Sequence, residues 1–296
     1  MRHRLLRDGF VVLAIVFVAL RLLSIEPWDD SVDAYAYWST RDGVMYGGPI
    51  GTGGAGVIGA YLYSPAFAQV LAPAVWLPWP VFAALWTALN FVVLWWLARR
   101  SAVPALVLVL LPPVAFEIIS GNVHLLYAGA IVAGFRFAGT WALMLLTKLT
   151  PGIGLVWFAV RREWRPLAVA LGFTAVLAAA SFVLDPGAWR TWADLIIRDL
   201  GAPLVTTGWY LPVPLAPRLV TAALVVAWGA LTDRAWTIPI AVTLALPILW
   251  LNGLSVLVAC LPLAREGAWS ERGSRGGLPG FVRFASRPAS PGSIDG

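Results

Sequence analysis

Apolar runs with few or no charged residues fill most of the chain, and short basic or acidic clusters separate them. A helix rises about 1.5 Å per residue, so roughly 20 apolar residues are needed to span the hydrocarbon core of a bilayer. We therefore interpret the longer runs as membrane crossings. They are residues 10–25, 81–98, 102–116, 123–135, 167–184 and 215–231.

Three stretches do not fit one full crossing each. Residues 66–77 are too short to span easily and end at a Pro-Trp-Pro break, so we interpret them as a re-entrant or interfacial helix. Residues 137–146 and 153–160 are half-length pieces that meet at residues 147–151. Residues 235–264 are long for one crossing and short for two, although the basic sequence that follows favours two. The pattern predicts an all-α polytopic bundle of about 9–11 membrane helices, short re-entrant ones included.

Polar sequence marks three segments beside the bundle. Residues 26–64 form a loop that holds five of the fifteen carboxylates of the chain together with several aromatic residues. Residues 185–213 mix Asp and Arg with apolar residues, which is typical of an amphipathic segment at a membrane surface. Residues 265–296 are rich in Gly, Ser, Pro and Arg, a composition that predicts disorder. We expect one transmembrane domain over residues 1–264, followed by a disordered tail.

Composition and charge support a membrane protein and predict its orientation. Hydrophobic residues make up 60% of the chain and charged residues 12%, whereas a soluble domain carries about 25% charged residues. The net charge of +6 does not indicate nucleic-acid binding, because the basic residues lie in clusters between apolar runs, as the positive-inside rule describes. Clusters at Arg99, Arg161 and Arg234 all become cytoplasmic if the loop 26–64 is outside. We therefore expect a multi-pass plasma-membrane protein with both termini in the cytoplasm.

The sequence lacks the motifs of several enzyme classes. It has no phosphate-binding glycine loop, no Gly-x-Ser-x-Gly turn and no cysteine–histidine nucleophile pair. Because it has one cysteine, Cys260, and two histidines, we expect no disulfide, no metal site and no cofactor. External carboxylates, cations near the membrane and many aromatic residues remain. These groups suit the transfer of a sugar from a lipid phosphate, in which a carboxylate deprotonates the acceptor hydroxyl and a cation stabilises the leaving phosphate.

Several short motifs, in their order and spacing, resemble those of glycosyltransferase family 87. Members of that family are polyprenyl-phosphate-mannose-dependent α-mannosyltransferases of actinobacteria with a GT-C fold. The resemblance covers about residues 9–263. The motifs are Asp33-Ala34-Tyr35-Ala36-Tyr37, Gly43-Val44-Met45-Tyr46, Tyr63-Ser64-Pro65-Ala66-Phe67, Gly121-Asn122, Thr147-Lys148-Leu149-Thr150-Pro151, Trp157-Phe158 and Arg161-Arg162-Glu163-Trp164-Arg165. One motif departs from the family, since Pro247 and Trp250 are kept but Asn252 and Gly253 stand where two histidines are usual.

Particular residues become candidates for the site. The resemblance implies that Asp33 is the catalytic base, with a solvated loop carboxylate as the alternative. Lys148 lies between two half-helices, where it would bind the donor phosphate or instead extend to the lipid headgroups. Further candidates for phosphate contacts, with lipid headgroups as the alternative ligand, are Arg21, Arg190 and Arg198. The candidates for the substrate cavity are Asp29, Asp30, Tyr37, Trp38, Asn122, His124, Trp209, Trp250 and Asn252.

The sequence favours a membrane glycosyltransferase that moves a hexose, mannose by resemblance, from a polyprenyl-phosphate donor to a lipid-linked or glycan acceptor. The reaction would take place on the outer face and invert the anomeric carbon. We expect the donor, the acceptor and the bilayer as partners, and no nucleic acid. Two alternatives stay open. A lipid or sugar transporter would need opposed discontinuous helices, of which the sequence shows one pair and no repeat. A non-enzymatic or degenerate scaffold of envelope assembly is favoured by the missing histidines.

The orientation can be tested with two matched alanine-to-cysteine substitutions in a chain whose Cys260 is replaced. Ala188 lies in the segment expected outside, and Ala168 follows a basic cluster expected inside. An impermeant thiol reagent should label Ala188→Cys in intact cells and should not label Ala168→Cys there. Labelling of Ala168→Cys but not of Ala188→Cys would reverse the predicted orientation.

Overall fold

The computed structural model describes residues 2–23, 31–42, 45–46, 59–99, 101–199 and 209–264. Helices form most of this part, in which β-structure is limited to an isolated antiparallel bridge between Tyr210 and Trp250. The predicted all-α class is confirmed for the described residues. The predicted tail, residues 265–296, and much of the loop 26–64 lie outside them.

The described part of the chain contains thirteen α-helices. They are α1 Arg2–Leu22, α2 Val32–Trp38, α3 Pro65–Val75, α4 Trp79–Leu97, α5 Ala102–Leu110, α6 Pro112–Ser120, α7 His124–Gly134, α8 Ala142–Thr147, α9 Val156–Val160, α10 Trp164–Leu184, α11 Pro186–Asp199, α12 Leu215–Leu231 and α13 Thr237–Leu244. Shorter 3₁₀ helices connect or continue them at Ser39–Asp42, Ala138–Trp141, Thr150–Leu155 and Leu251–Ala259.

The long apolar helices indicate a membrane protein. Among the described helices, α4 and α10 are long and apolar enough to cross a membrane, and α5 with α6 adds a third crossing if this bent pair is one span. Six shorter apolar helical segments accompany them. The outer surface of α10 is apolar, with Val176 and Val183 exposed by 67% and 77%. Soluble proteins rarely expose continuous apolar surface of this kind, whereas lipid covers it.

The segment 102–116 is not the single straight crossing that the sequence predicted. The helix breaks at Leu111, and α5 and α6 meet at a bend of 77°. Two consecutive prolines explain the break, because Pro112 has no N–H and disfavours a helical conformation of Leu111, which has a ψ of 128°. Pro112 then begins α6, which extends to Ser120 and carries Glu117 into the core.

The break predicted at residues 147–151 is confirmed, and residues 235–264 contain another break. α8 ends at Thr147, and Lys148 takes an extended conformation with a φ of −128° and a ψ of 98°. α13 ends at Leu244, and helical structure resumes at Leu251. Breaks of this kind leave backbone groups without helical partners, which a membrane protein tolerates only where protein or water satisfies them.

A buried arginine donates hydrogen bonds to the backbone carbonyl groups at the break after α13. Arg218, on α12, donates hydrogen bonds to the carbonyl oxygens of Leu244, Leu246 and Pro247 at 2.7–2.9 Å. The last carbonyl groups of a helix have no intrahelical partner, so the guanidinium replaces the missing donors. This contact fixes the path of the chain from α13 to Asn252, which returns to the end of α6 through a hydrogen bond to Ser120.

An aromatic core holds α2 against α3 and α4, and α2 also contacts α6. The Tyr37 ring lies 5.2–5.4 Å from the rings of Tyr63, Phe67 and Trp86, distances that are typical of favourable aromatic pairs. α7 lies at the centre of the bundle and contacts α4, α6, α8, α13 and the segment Leu251–Ala259. The aromatic core therefore places α2 next to the turn between α6 and α7.

Candidate active site

Five polar side chains from separate parts of the fold lie together near α2. Asp33 is on α2, Glu117 on α6, Asn122 in the turn before α7, His124 at the first residue of α7 and Lys148 at the break after α8. Hydrogen bonds and charge interactions connect them. We refer to these five residues as the polar cluster. Four of the predicted site residues, Asp33, Asn122, His124 and Lys148, come from three separate stretches of the sequence and are thus brought together by the fold.

Glu117 and His124 form the buried layer of the polar cluster. Both side chains have no exposed surface, and the Glu117 Oε2 lies 2.9 Å from His124 Nδ1. The other carboxylate oxygen, Oε1, accepts hydrogen bonds from the backbone N–H groups of His124 and Leu125. These are the first amides of α7, which have no intrahelical partner and carry partial positive charge. Glu117 therefore also caps the N-terminus of α7.

Lys148 connects this buried layer to the rest of the polar cluster. Its ammonium nitrogen lies 2.9 Å from His124 Nε2 and 3.4 Å from Asn122 Oδ1. The Tyr63 ring lies 5.6 Å from the same nitrogen, within the range of a cation–π interaction. The extended backbone at the break after α8 directs the side chain inward to these partners. Lys148 is therefore held inside the protein, which does not fit the alternative that it extends to the lipid headgroups.

Asp33 is the member of the polar cluster on α2, a helix that is not among the candidate membrane spans. Burial raises the pKa of its carboxyl group, and the nearby Lys148 charge and a hydrogen bond from the Asn122 side chain lower it in part. General bases work best when their pKa approaches the working pH. A partly buried aspartate with a raised pKa has the properties of such a base.

The polar cluster has two layers that differ in exposure. Asp33 and Lys148 are partly exposed, whereas Glu117 and His124 are fully buried. Asn122, which is 5% exposed, lies between the two layers and binds to both Lys148 and Asp33. Within the polar cluster, Asp33 and Lys148 are therefore the two members that are more than a few per cent exposed.

A glycine turn lets α2 pack closely against the turn that carries Asn122. Gly121 has a φ of +70° and ends α6, and a Cβ added to it would lie 2.6 Å from the Ala34 Cβ. The Trp86 indole donates a hydrogen bond of 2.7 Å to the Gly121 carbonyl oxygen. A side chain at this position would push α2 away, so the glycine permits Asp33, the neighbour of Ala34, to reach Asn122.

The two aromatic candidates on α2 have different surroundings. Tyr37 is buried, and its hydroxyl lies 3.1 Å from that of Tyr63, which in turn donates to Asn122 Oδ1 at 3.4 Å. Tyr37 therefore reaches the polar cluster through Tyr63. Trp38 donates its indole N–H to the Leu77 carbonyl oxygen and packs away from the polar cluster.

The three predicted arginines do not join the polar cluster. Arg21 is buried on α1 and donates a hydrogen bond of 2.6 Å to the Ile119 carbonyl oxygen, so it stabilises the end of α6. Arg190 and Arg198 are exposed on α11. Arg198 lines a surface pocket of about 340 Å³ together with Tyr46, Thr191, Asp194 and Leu195.

The remaining predicted residues lie at the edge of the site or outside it. Asn252 donates a hydrogen bond to the Ser120 hydroxyl at 3.2 Å and hydrogen-bonds to Glu117, so it supports the buried layer. Trp209 is 81% exposed, and the Trp250 ring packs against Tyr210 at 5.9 Å. Neither tryptophan contacts the polar cluster through a described hydrogen bond or ring pair. Asp29 and Asp30 lie outside the described residues.

Glu117 is the member of the polar cluster that the sequence analysis missed. It is the one Asp, Glu, Lys or Arg residue between Arg100 and Arg136, in an otherwise apolar part of the chain. An isolated carboxylate in a membrane helix indicates a functional site by default, because its burial is costly. That signal was present, but the expected end of the crossing at Phe116 left Glu117 outside the membrane. Within the described ranges, no three His, Cys, Asp or Glu side chains are grouped so as to hold a metal ion.

Comparison with known proteins gives a family match. The model of glycosyltransferase family 87 matches residues 61–261, which is more than half of the chain. Asn122, His124, Lys148 and Asn252 lie within the matched residues, and Asp33 precedes them. No curated protein and no solved structure gives a significant match.

Replacement of Gly121 by alanine should destabilise the protein. The left-handed conformation alone costs a non-glycine residue about 1–2 kcal/mol, and the new Cβ would also collide with Ala34. Thermal unfolding in detergent measures the effect. Gly172→Ala is the matched control, because nothing lies within 4 Å of a Cβ at this position on α10, where alanine favours the helix. Equal unfolding temperatures of the two variants would contradict the close packing of α2 on the turn.

Proposed function

This chain belongs to glycosyltransferase family 87, and from that premise we propose its donor, its acceptor and the roles of its residues. Membership and apolar helices make it a membrane glycosyltransferase. We propose that it moves a hexose, mannose by family resemblance, from a polyprenyl phosphate to a lipid-linked or glycan acceptor on the outer face. The observation that best supports this is a partly exposed carboxylate, Asp33, within electrostatic reach of a partly exposed ammonium, Lys148.

In the proposed reaction the two exposed members of the polar cluster act on opposite partners. Asp33 accepts the proton of the acceptor hydroxyl, whose oxygen forms a bond to the anomeric carbon of the sugar. The bond between that carbon and the phosphate oxygen breaks, and the polyprenyl phosphate leaves with the bonding electrons. The Lys148 ammonium stabilises the negative charge on the departing phosphate. A single displacement of this kind inverts the anomeric carbon.

A lipid-borne donor fits the surroundings of the polar cluster better than a nucleotide sugar. The apolar helices α6 and α7 lie beside it, so a polyprenyl chain at these helices would be surrounded by lipid. A monophosphate needs only one or two cations, and Lys148 supplies one of them by a charge-assisted hydrogen bond. We propose Arg190 and Arg198, which are exposed on α11, as further contacts for the phosphate or for lipid headgroups.

A non-enzymatic scaffold is the second candidate, because Asn252 and Gly253 replace the two histidines usual in the family. The surroundings of Asn252 argue against a ruined site. Its amide hydrogen-bonds to Ser120 and Glu117, so it completes the buried layer of the polar cluster. The substitution therefore leaves the exposed layer, Asp33 and Lys148, intact.

Replacement of Asp33 by asparagine should abolish most of the transfer while the protein still folds. An amide cannot accept the acceptor's proton, and general-base assistance contributes about 10²–10⁴-fold to the rate. Asp42→Asn is the matched control, since Asp42 is exposed and paired only loosely with Arg41 at 3.5 Å. Initial rates of sugar transfer and unfolding temperatures should be measured for both. Equal losses in the two variants, or none in Asp33→Asn, would remove Asp33 from this role.

The proposed donor can be tested with purified protein and a membrane glycolipid extract as the acceptor. Polyprenyl-phosphate-mannose should support transfer, and GDP-mannose should not, because its nucleotide would need a binding site that the polar cluster lacks. Parallel reactions with a chelator should proceed at the same rate, since Lys148 supplies the charge for a monophosphate. Turnover from GDP-mannose without polyprenyl phosphate would overturn the proposed donor. Failure of both donors with a broad panel of acceptors would favour the scaffold.

A further inference from the structure

The contacts of the buried layer, Glu117 and His124, can determine the position of Lys148 as well as stabilise the fold. We propose that Glu117 and His124 are positioning residues that fix one tautomer of the histidine and thereby hold the Lys148 ammonium next to Asp33. This inference rests on the proposed function, in which Lys148 binds the donor phosphate. The buried pair touches no substrate itself, so it would act through Lys148 alone.

The hydrogen-bonding partners of His124 determine where its proton lies. An ammonium group has only donors, so His124 Nε2 must accept the hydrogen bond from Lys148 at 2.9 Å. A neutral imidazole with an acceptor at Nε2 carries its proton at Nδ1. That proton then points to the Glu117 Oε2, 2.9 Å away. The chain of donors runs from Lys148 to His124 and from His124 to Glu117.

Glu117 is well placed to remain a carboxylate and to accept that proton. Its Oε1 accepts two backbone N–H groups from the N-terminus of α7, where the helix dipole favours negative charge. Asn252 adds a further hydrogen bond. A proton on Oε1 would face the backbone amides, and a proton on Oε2 would donate to His124 Nδ1 and leave the imidazole proton at Nε2, facing the Lys148 ammonium. The ionised form avoids both conflicts.

This arrangement determines what Lys148 can do. The ammonium has three N–H donors, of which His124 and Asn122 take two, and the third remains for Asp33 or for a phosphate oxygen. Lysine has a long flexible side chain, so without these two acceptors its charge would be free to pair closely with Asp33. Such a pair would weaken the base and misplace the cation.

Glu117 could instead be only a cap for α7, and Glu117→Gln separates the two roles. The glutamine carbonyl oxygen can still accept the backbone N–H groups of His124 and Leu125. Its amide nitrogen, however, would donate to His124 Nδ1, which moves the imidazole proton to Nε2. An N–H at Nε2 would then face the Lys148 ammonium, and the contact between them would be lost.

Nitrogen NMR of histidine can read this tautomer directly, because the chain contains only His3 and His124. The protein would be labelled with ¹⁵N-histidine, purified through a histidine-free tag and carry His3→Gln, so that one imidazole remains. We expect Nδ1 to be protonated and Nε2 to be unprotonated. Glu117→Gln should exchange the two, and Lys148→Met should shift only the Nε2 resonance. Glu163→Gln, which alters a carboxylate paired with Arg161, is the matched control and should change neither.

Kinetics supply the second measurement. Glu117→Gln should lower kcat/KM for the donor by roughly 10–100-fold, as is common for outer partners of a functional group, with the acceptor KM and the unfolding temperature nearly unchanged. Glu163→Gln should leave both parameters at the wild-type value. Wild-type His124 with a proton at Nε2, an unchanged tautomer in Glu117→Gln or an unchanged donor kcat/KM would each overturn the positioning role. Absence of transfer by the wild type with every donor would instead contradict the proposed function, and the NMR result would still decide whether the tautomer is fixed.

Discussion

The burial of Glu117 among apolar helices is the constraint on which the rest of the polar cluster depends. A carboxylate removed from water costs several kcal/mol unless it is paired or hydrogen-bonded. Glu117 meets this requirement with the first amides of α7 and the His124 ring. Because α6 carries the acid and α7 supplies the amides, the turn between them is tight, and α2 packs directly on its glycine, Gly121. The position of Asp33 on α2 therefore depends on the tight turn in which the α7 amides stabilise the Glu117 charge.

Hydrophobic length and the positions of helix breakers made much of the fold predictable. The run 215–231 coincides with α12, and the break expected at residues 147–151 is the one that directs the Lys148 side chain to its buried partners. The prolines at Pro112 and Pro113 were equally visible, yet the uncharged run around them suggested one crossing. The prolines break the helix there although the run is long and apolar enough to continue it. After the bend α6 extends beyond Phe116 to Ser120.

The candidate site was predictable only as far as single residues carry a signal of their own. Asp33, Asn122 and Lys148 stood in recognisable motifs, and the structure brings them together. The roles of Glu117 and Arg21 depend on contacts between elements distant in sequence. Arg21 binds a carbonyl oxygen 98 positions further along the chain, and no local pattern distinguishes such an arginine from one that binds phosphate. Charge in an apolar run indicates that a partner exists, but only the packing of helices shows which one.

The division of the polar cluster into an exposed and a buried layer also bears on how a member of this family can change. Asn252 stands at a position where the family usually has histidine, but here its amide binds Ser120 and Glu117 in the buried layer. A substitution in this layer alters how firmly Glu117 and His124 are held, and it leaves the exposed residues Asp33 and Lys148 unchanged. The buried layer can therefore vary as long as it keeps a hydrogen-bond acceptor for the Lys148 ammonium and hydrogen-bond donors that stabilise the Glu117 carboxylate. In the proposed mechanism the exposed layer has no such freedom, because it requires a proton acceptor and a cation that both lie within reach of the reacting bond.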